Sequence, residues 1–454
     1  MTKPPKPKSR RDRVSLFQYL RMFRQDILSA QPERLYRAWM AEFKTPFFRS
    51  YLCNDPALIR TVLRDRPDDF PKSDRIGEGL RPLLGNSVFL TNGEHWKQQR
   101  RIIDPAFEGG RLRDVFPAMY DAAFAAVKRL GQHDGKKIEI EEIASHVAAD
   151  VIFRTLFSIP IEHETASKVF AEFKAHQRTQ PILNLAAFVP VPRWFPRMFK
   201  SETKQTAQTI RGLISGLVAE RQKQIDAGTA PDDLATKIMT TTDPVAGQKF
   251  APDEMVDQVA IFFLAGHETS ASALAWGLYL LATNPDWQSS IAQEAEAITE
   301  PDFAVLSRLK LCRDVFRETL RLYPPVPMMV REATCPENFR ERAVKPKSQI
   351  VLSPWHLHRH SRMWDNPDGF DPTRWDTENG KSCQREAYIP FSAGPRVCTG
   401  AGFAMAEGVL LLSMLVRAFE FEPIPDLIPV PVAHLTVRSK DGIWLKIRKR
   451  TQNS

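Results

Sequence analysis

Hydrophobic residues along the chain recur mostly with the three- to four-residue spacing that is typical of helices. This pattern predicts helices over residues 32–43, 56–64, 94–107, 114–130, 143–157, 163–176, 202–227, 252–283, 285–297, 311–322 and 402–418. Strand-like stretches are short, at residues 47–53, 349–353 and 442–448. The sequence therefore predicts a mainly α fold with small peripheral β-sheets. Residues 1–30 form a basic N-terminal segment, and residues 31–454 are expected to form a single domain.

The predicted helix over residues 252–283 is unusually long and carries polar residues at its centre. At about 1.5 Å per residue it would span roughly 48 Å, and its apolar composition indicates burial. Residues 265–270 nevertheless read A-G-H-E-T-S. The Thr269 hydroxyl can return a hydrogen bond to the Ala265 carbonyl, which bends helices. The pattern predicts either a notch that holds a hydroxyl and a carboxylate, or a polar patch that faces another helix.

Composition excludes several classes of protein. With 454 residues, 43% hydrophobic and 26% charged, the chain is long enough to bury a large core. The apolar run 409–416 is too short to cross a membrane, and 259–282 is interrupted by His267 and Glu268. Residues 1–13 are rich in Pro, Lys and Arg, and no apolar region of a secretory signal follows. The net charge of +9 favours acidic partners, but no alternation of basic and aromatic residues indicates nucleic acid.

The cysteines follow neither a disulfide nor a zinc pattern, because their number is odd and no CxxC pair occurs. They are Cys53, Cys312, Cys335, Cys383 and Cys398. Free thiols are the expectation, which favours a reducing, cytoplasmic location.

Cys398 stands out because of its neighbours. It precedes a helix predicted to begin near residue 402, where unpaired N–H groups and the helix dipole favour a thiolate. Gly394 allows a tight turn, Gly400 lets the backbone pass close to a flat group, and Arg396 can meet an anion at the edge of that group. A thiolate, a close backbone and a cation together indicate a haem with a cysteine axial ligand.

The sequence here resembles the cytochrome P450 family of haem-thiolate monooxygenases, over nearly the whole chain. The family's haem-loop pattern, F-x-x-G-x-R-x-C-x-G, is matched by Phe391, Gly394, Arg396, Cys398 and Gly400. The family's oxygen-activation pattern, [AG]-G-x-[DE]-T-[TS], is matched by residues 265–270.

Three further residues match the family's structural ion network. Glu318 and Arg321 match its E-x-x-R pair and share one face of a helix, and Arg374 matches its later arginine. The resemblance implies a buried carboxylate between two guanidinium groups, which fixes the loop that presents Cys398. Taken alone, an E-x-x-R pair is more often a solvated salt bridge.

A second set of residues is expected beside the haem propionates. Trp96 and Arg100 match the family's W-x-x-x-R and share a helix face. The resemblance places both, with Arg396, at the propionates. Arg331 is a further candidate, and His95 is another, although a solvated histidine fits His95 as well.

The resemblance implies one haem b, reductive activation of O2 and insertion of one oxygen atom, usually as hydroxylation, into an apolar substrate. Cys398 would be the axial ligand of the iron. Glu268 and Thr269 would deliver protons to dioxygen, and Ala265 and Gly266 would leave room for it. Candidates for substrate contact are Ile261, Phe262, Ala265, Val326, Met328 and Met329. Their apolar character favours a lipid-like, terpenoid or aromatic molecule.

Electrons are expected from outside the chain, because it has no room for a fused flavin or iron–sulfur domain. NAD(P)H would supply them through a reductase and a ferredoxin or flavodoxin, as in family members that lack a membrane anchor. Lys97 and Arg101 lie four residues apart and form a basic face on which an acidic carrier would dock.

Two other functions are compatible with a cysteine-ligated haem. A peroxide-driven or non-redox haem-thiolate enzyme commonly lacks the acid–alcohol pair that is present at Glu268 and Thr269. A haem-based sensor or carrier would need neither that pair nor a substrate pocket.

His356, His358 and His360 alternate, which in a strand would place three imidazoles on one face. A zinc site is conceivable there. The surrounding residues resemble the family's H-R-x-x-x-x-W stretch instead, which binds no metal.

Overall fold

The computed structural model describes residues 3–44, 48–179, 201–433 and 435–451, and it is mainly helical with small sheets. Its helices are α1 (Leu16–Gln25), α2 (Pro56–Arg60), α3 (Asp74–Leu84), α4 (Gly93–Ile103), α5 (Gly109–Leu130), α6 (Ile140–Phe157), α7 (Glu164–Thr179), α8 (Ser201–Asp226), α9 (Leu234–Thr240), α10 (Pro252–Ala282), α11 (Pro285–Glu294), α12 (Lys310–Leu322), α13 (Pro354–Leu357), α14 (Glu378–Glu386) and α15 (Ala401–Ala418). The predicted fold class is confirmed.

Short strands form the peripheral sheets. They are β1 (Met40–Lys44), β2 (Arg49–Cys53), β3 (Lys137–Glu139), β4 (Met329–Glu332), β5 (Glu337–Phe339), β6 (Arg342–Val344), β7 (Gln349–Leu352), β8 (Phe419–Pro423), β9 (Pro431–Ala433), β10 (Val437–Ser439) and β11 (Trp444–Lys449). The largest sheet has the order β1-β2-β7-β4, with β2 and β7 parallel. A second has the order β3-β11-β8, and β5–β6 and β9–β10 are antiparallel pairs.

Helix α10 runs through the middle of the core. It packs against α6, α8, α12 and α15, which explains why it is apolar on every side. Pro252 occupies its first turn, and the Glu254 carboxylate accepts a hydrogen bond from the Ala251 N–H at 2.9 Å. The predicted long buried helix is therefore confirmed. It contacts α12, which carries Glu318 and Arg321, and α15, which follows the Cys398 loop.

The predicted helix over residues 32–43 is wrong. The chain there forms a short 3₁₀ turn, Glu33–Tyr36, followed by strand β1. Strand β1 pairs with β2, and Ala41 lies opposite Leu52, both of them buried. Pairing with the next strand along the chain outweighs the helical spacing of this segment. The pattern also missed α3, which contains Gly77, and α14, which has few apolar residues.

The three alternating histidines do not form a metal site. They lie on α13 and the turn after it rather than on a strand. The Nδ1 atom of His356 is 2.8 Å from Ser353 Oγ, and the Nε2 atom of His358 accepts a hydrogen bond from the Ile389 N–H. The His360 ring stacks on Trp39 instead. Burial lowers the pKa of His356 and of His358 to about 3, so both imidazoles are neutral packing elements.

Within the described part of the chain, α15 is long and apolar enough to cross a membrane on length and composition alone. In the fold, 67% of it is buried, against α5, α11 and α12 among others.

Candidate active site

A cavity of about 1270 Å³ lies between α10 and the loop that contains Cys398. Its walls bring together residues from α3, α4, α10, α15, β4 and the Cys398 loop. All of the predicted pocket residues line it, namely Ile261, Phe262, Ala265, Val326, Met328 and Met329. Such a cavity has the size and the apolar lining of a cofactor and substrate site.

The Cys398 loop is held rigidly beneath this cavity. Gly394 has φ +68°, and a Cβ atom there would lie 1.8 Å from the Leu63 carbonyl oxygen, so only glycine fits. The Cys398 N–H donates to the Phe391 carbonyl at 2.9 Å, which closes the loop. Gly400 then precedes α15. Gly394 itself does not line the cavity, whereas Phe391, Cys398 and Gly400 do.

The Cys398 side chain opens onto the cavity. Enclosure by the surrounding protein raises the pKa of its thiol, although the Gly400 N–H and the cations Arg100 and Lys72 oppose that rise. The Gly400 N–H at the start of α15 thus favours the thiolate, as expected, but burial of the thiol outweighs it. A metal ion bound to the sulfur would displace the proton, because only the thiolate is a good ligand.

The polar centre of α10 forms the opposite wall. The Thr269 hydroxyl donates to the Ala265 carbonyl at 2.6 Å, as the sequence predicts. A Cβ atom at Gly266 would lie 2.5 Å from Ile152 Cδ1. The structure thus gives Gly266 a packing role at the close approach of α6, and Gly266 also lines the cavity, where it is expected to leave room for dioxygen.

The Glu268 carboxylate is buried and contacts a set of polar side chains. Gln177 and Thr436 donate hydrogen bonds to it, the latter at 3.2 Å, and an Arg438 nitrogen lies 4.0 Å away. Arg438 also donates to the Gln177 side-chain oxygen, and its own side chain is 37% exposed. Burial raises the pKa of Glu268. A titratable carboxyl is thus connected through Arg438 to solvent.

A second buried carboxyl, Glu407 of α15, escaped the sequence analysis. The Ser270 hydroxyl donates to one of its oxygens at 2.6 Å, and the other oxygen has no hydrogen-bond partner. Burial raises the pKa of Glu407 to about 8. Ser270 lies within the predicted notch, but nothing in the sequence indicates its partner, because the contact joins two distant helices.

We expect Glu407→Gln to change how stability depends on pH. A carboxyl whose pKa rises from 4.5 to about 8 on folding binds its proton more tightly in the folded state. It therefore opposes folding increasingly as the pH rises through that window. Relative to the parent, the variant should gain stability between about pH 5 and pH 8, measured by urea unfolding. The exposed Glu420→Gln is the control. A Glu407→Gln difference that stays constant with pH would contradict the assignment.

Four cations converge at one end of the cavity, namely Lys72, Arg100, Arg331 and Arg396. Arg100 pairs with Asp104 at 2.6 Å. Among the described residues, no carboxylate hydrogen-bonds the other three. Burial, followed by Arg331, Arg396 and Arg100, lowers the pKa of Lys72. Burial also lowers the pKa of Arg331 and of Arg396, each to about 10. An uncompensated cluster of this kind is a site for anionic groups.

The neighbours of this cluster explain the other predicted propionate contacts. Arg396 donates to the Thr91 carbonyl and to Asn92, and its guanidinium stacks over the Trp96 ring at 4.1 Å. Trp96 therefore both lines the cavity and orients Arg396. His95 is exposed, lies 2.9 Å from Gln99 and does not line the cavity. The sequence missed Lys72, which lies outside every motif.

The ion network predicted from E-x-x-R is fully buried. The Glu318 carboxylate accepts two hydrogen bonds from Arg321 at 2.8 Å and one from Arg374 at 3.1 Å. Arg321 also donates to the carbonyls of His358, Pro367 and Gly369. Through His358, which accepts from the Ile389 N–H, the network reaches the chain that leads into the Cys398 loop.

The donor set fits a haem. The Cys398 sulfur and α10 both line the cavity, and the uncompensated cations Lys72, Arg331 and Arg396 would bind the haem propionates. The sequence model described as Cytochrome P450 matches residues 28–446. The chain belongs to the cytochrome P450 family. It is a haem-thiolate monooxygenase with a haem cofactor.

Curated relatives of this P450 come from bacteria, animals and plants. Cyclooctat-9-en-7-ol 5-monooxygenase of Streptomyces melanosporofaciens is 30% identical over 83% of this chain and 81% of its own. Cytochrome P450 4A10 of Mus musculus is 28% identical over 87% of this chain and 80% of its own. Cytokinin hydroxylase of Arabidopsis thaliana is 28% identical over 87% of this chain and 78% of its own.

The fold of this P450 also matches solved structures. The crystal structure of the cytochrome P450DA heme domain superposes with a TM-score of 0.81 at 23% identity. The match covers 99% of this chain and 98% of that chain, so the same fold accounts for nearly all of both.

Proposed function

We propose that this P450 hydroxylates an apolar small molecule of the terpenoid or lipid class, with Cys398 as the thiolate ligand of its haem. The observation that carries the proposal is one cavity whose walls hold the Cys398 sulfur, the uncompensated cations and the polar centre of α10. The bound haem supplies reductive activation of dioxygen and insertion of one oxygen atom into a C–H bond.

The positions of the other site residues indicate their roles. Lys72, Arg331 and Arg396 would bind the two propionates, while Trp96 orients Arg396. Arg100, held by Asp104, donates to the Val397 carbonyl at 2.9 Å and so braces the cysteine loop as well. The Glu318 network acts at a distance from the reaction, by holding the chain before that loop.

Protons would reach the reaction by way of α10. Arg438 and Gln177 connect Glu268 to solvent, and rotation of the Glu268 side chain would carry a proton toward Thr269. The Thr269 hydroxyl lines the cavity, so it can donate a hydrogen bond there while its partner, the Ala265 carbonyl, stays fixed. The presence of this pair favours reductive activation over the peroxide-driven and non-redox alternatives.

Thr269→Ala should uncouple reductant consumption from hydroxylation. The variant lacks the hydroxyl that positions a proton, so much of the reductant should yield hydrogen peroxide, and product per reductant should fall several-fold. Thr269→Ser keeps the hydroxyl and should retain coupling. The measurement is product, peroxide and NAD(P)H consumed in one reaction. Equal coupling in the alanine variant and the parent would remove Thr269 from the mechanism.

The apolar walls support a large hydrophobic substrate. Ile261, Phe262, Val326 and Met328 contribute to them, and the cavity has room for a polycyclic molecule beside a haem. A bacterial relative is named as a monooxygenase of cyclooctat-9-en-7-ol, which makes cyclic terpenoid alcohols the first class to test. Substrates would be recognised by a spin-state shift of the haem on titration. A shift only with small polar molecules would contradict the proposed class.

Electrons would come from NAD(P)H through a reductase and an acidic ferredoxin or flavodoxin in the cytoplasm, and the net charge of +9 supports such a partner. The basic face expected at Lys97 and Arg101 is largely neutralised. Lys97 lies 3.0 Å from Glu94, and Arg101 forms two hydrogen bonds with Asp243. The exposed Arg64, next to the Gly394 turn, is better placed for docking.

A further inference from the structure

A second cavity, of about 490 Å³, lies where the N-terminal segment crosses two other parts of the chain. It shares no lining residue with the cavity that contains Cys398. The N-terminal side is fixed in place, because the Tyr323 hydroxyl donates to the Pro5 carbonyl at 2.8 Å and Arg10 Nε donates to the Ala30 carbonyl at 2.6 Å. The second cavity is thus a formed site rather than a gap beside a loose end.

Cations outnumber acids around the second cavity by three. The charged residues that line it are Lys6, Arg10, Arg11, Arg34, Arg37 and Arg359 against Asp12, Glu33 and Asp368. The closeness of Arg34 to Arg10 contributes, after burial, to a lowered pKa of Arg10. Two guanidinium groups this close to each other favour the binding of an anion.

The three acids that line the second cavity already form ion pairs. Lys6 donates to Asp368 at 2.9 Å and lies 3.6 Å from Glu33. Asp12 lies 3.7 Å from Arg34. Asp368 also lies 3.8 Å from Arg359, so the three acids are shared among Lys6, Arg34 and Arg359, and among the described residues Arg11 and Arg37 have no acidic partner within 4 Å.

Arg359 is the strongest evidence for an anion site in the second cavity. Its side chain is only 1% exposed, and its Nη1 atom is buried without a hydrogen-bond partner. The guanidinium stacks on Trp355 at 3.9 Å, and its Nε atom is 3.8 Å from Asp368, beyond hydrogen-bond distance. Stacking explains where the guanidinium lies, and Asp368 offsets part of its charge, but one buried donor stays unsatisfied, which is costly.

We propose that the second cavity binds a phosphate or diphosphate group, with Arg359 at its base and Arg11 and Arg37 at its rim. A phosphate monoester carries about −1.5 to −2 charges near pH 7 and three strong acceptor oxygens, so one or two such groups offset the excess positive charge. Guanidinium forks match phosphate oxygens in pairs. The occupant would be a phosphorylated small molecule or a phospholipid headgroup.

An anion bound in the second cavity would also stabilise the fold around the Glu318 ion network. The floor of the second cavity includes Pro367, whose carbonyl accepts from Arg321 at 2.6 Å. An anion that joins the N-terminal segment to residues 359–368 would therefore restrain the chain that holds Arg321. We expect inorganic pyrophosphate to raise the thermal unfolding midpoint of the haem-loaded protein.

The test is calorimetric titration of the haem-loaded full chain with inorganic pyrophosphate at constant ionic strength. The parent should show saturable binding at one site. Arg359→Gln should weaken it about tenfold to a hundredfold, because a charge-assisted hydrogen bond is lost. The Arg11→Gln/Arg37→Gln double variant alters exposed residues only and should also weaken binding, whatever becomes of Arg359→Gln. The exposed Arg308→Gln, outside the second cavity, should bind like the parent.

A vesicle experiment separates the two sources of phosphate. Binding to phosphatidic acid vesicles that pyrophosphate displaces would identify a lipid headgroup, and pyrophosphate binding without vesicle binding would identify a free phosphorylated molecule. Absence of saturable pyrophosphate binding in the parent would overturn the proposal. Equal affinity in the parent and in the Arg11→Gln/Arg37→Gln variant would overturn it too.

Discussion

Glu318→Ala should lower the free energy of unfolding by about 3–5 kcal/mol, the usual cost of removing one partner from a buried ion pair. Glu318 is fully buried, and its carboxylate accepts from Arg321, from Arg374 and from the Asp371 N–H. Without it, two guanidinium groups remain in the core with carbonyl oxygens as their only acceptors. The chain leading to the Cys398 loop should loosen as well, so the haem should be lost more readily.

Urea unfolding of the haem-loaded protein, followed together with haem absorbance, measures both effects. The matched control is Glu378→Ala on α14, where the carboxylate side chain is 98% exposed and the nearest lysine nitrogen is 3.9 Å away. Glu378→Ala should lower the free energy of unfolding by no more than about 1 kcal/mol. If Glu318→Ala costs as little as Glu378→Ala, the ion network does not hold the fold together.

Cys398→Ser should abolish monooxygenation while leaving the fold intact. The loop is fixed by Gly394 and by the Cys398 N–H bond to the Phe391 carbonyl, neither of which involves the sulfur. Serine preserves this backbone, but its hydroxyl is far less acidic and a poorer ligand than a thiolate. Product formation per haem, with reductant supplied through ferredoxin, is the measurement.

The other cysteines provide the control. Cys335 is half-buried at the surface and donates to Glu337, and burial raises the pKa of Cys383 to about 11. Neither lines the cavity. Cys335→Ser and Cys383→Ser should therefore retain activity. A Cys398→Ser protein that still forms product at the parent rate would remove Cys398 from its proposed role.

Much of the candidate site was predictable because its chemistry lies in short, continuous segments. The Thr269-to-Ala265 hydrogen bond depends on residues four apart in one helix, and the Gly394 turn depends on the conformational freedom of one residue. The Glu318–Arg321 pair likewise lies within one helix. Local geometry of this kind can be read from sequence spacing.

The missed features depend on contacts between distant segments. Thr436 donates to Glu268 across 168 residues of sequence, and Ser270 meets Glu407 across 137. Lys72 joins the cation cluster only because the fold brings its segment beside β4, with which it forms a bridge at Arg331. The helix predicted over residues 32–43 failed for a more local reason, since pairing with the next strand, β2, determined the conformation of residues 40–44.

The carbon monoxide spectrum of the reduced, haem-loaded protein tests the central claim most directly, because the position of the absorbance band reports the axial ligand. Cys398 is the only cysteine among the described residues that lines the cavity. The parent should give the thiolate-type band, Cys398→Ser should lose it, and Cys335→Ser should keep it. A thiolate-type band that persists in Cys398→Ser, or a parent without one, would contradict the assignment of Cys398 as the haem ligand.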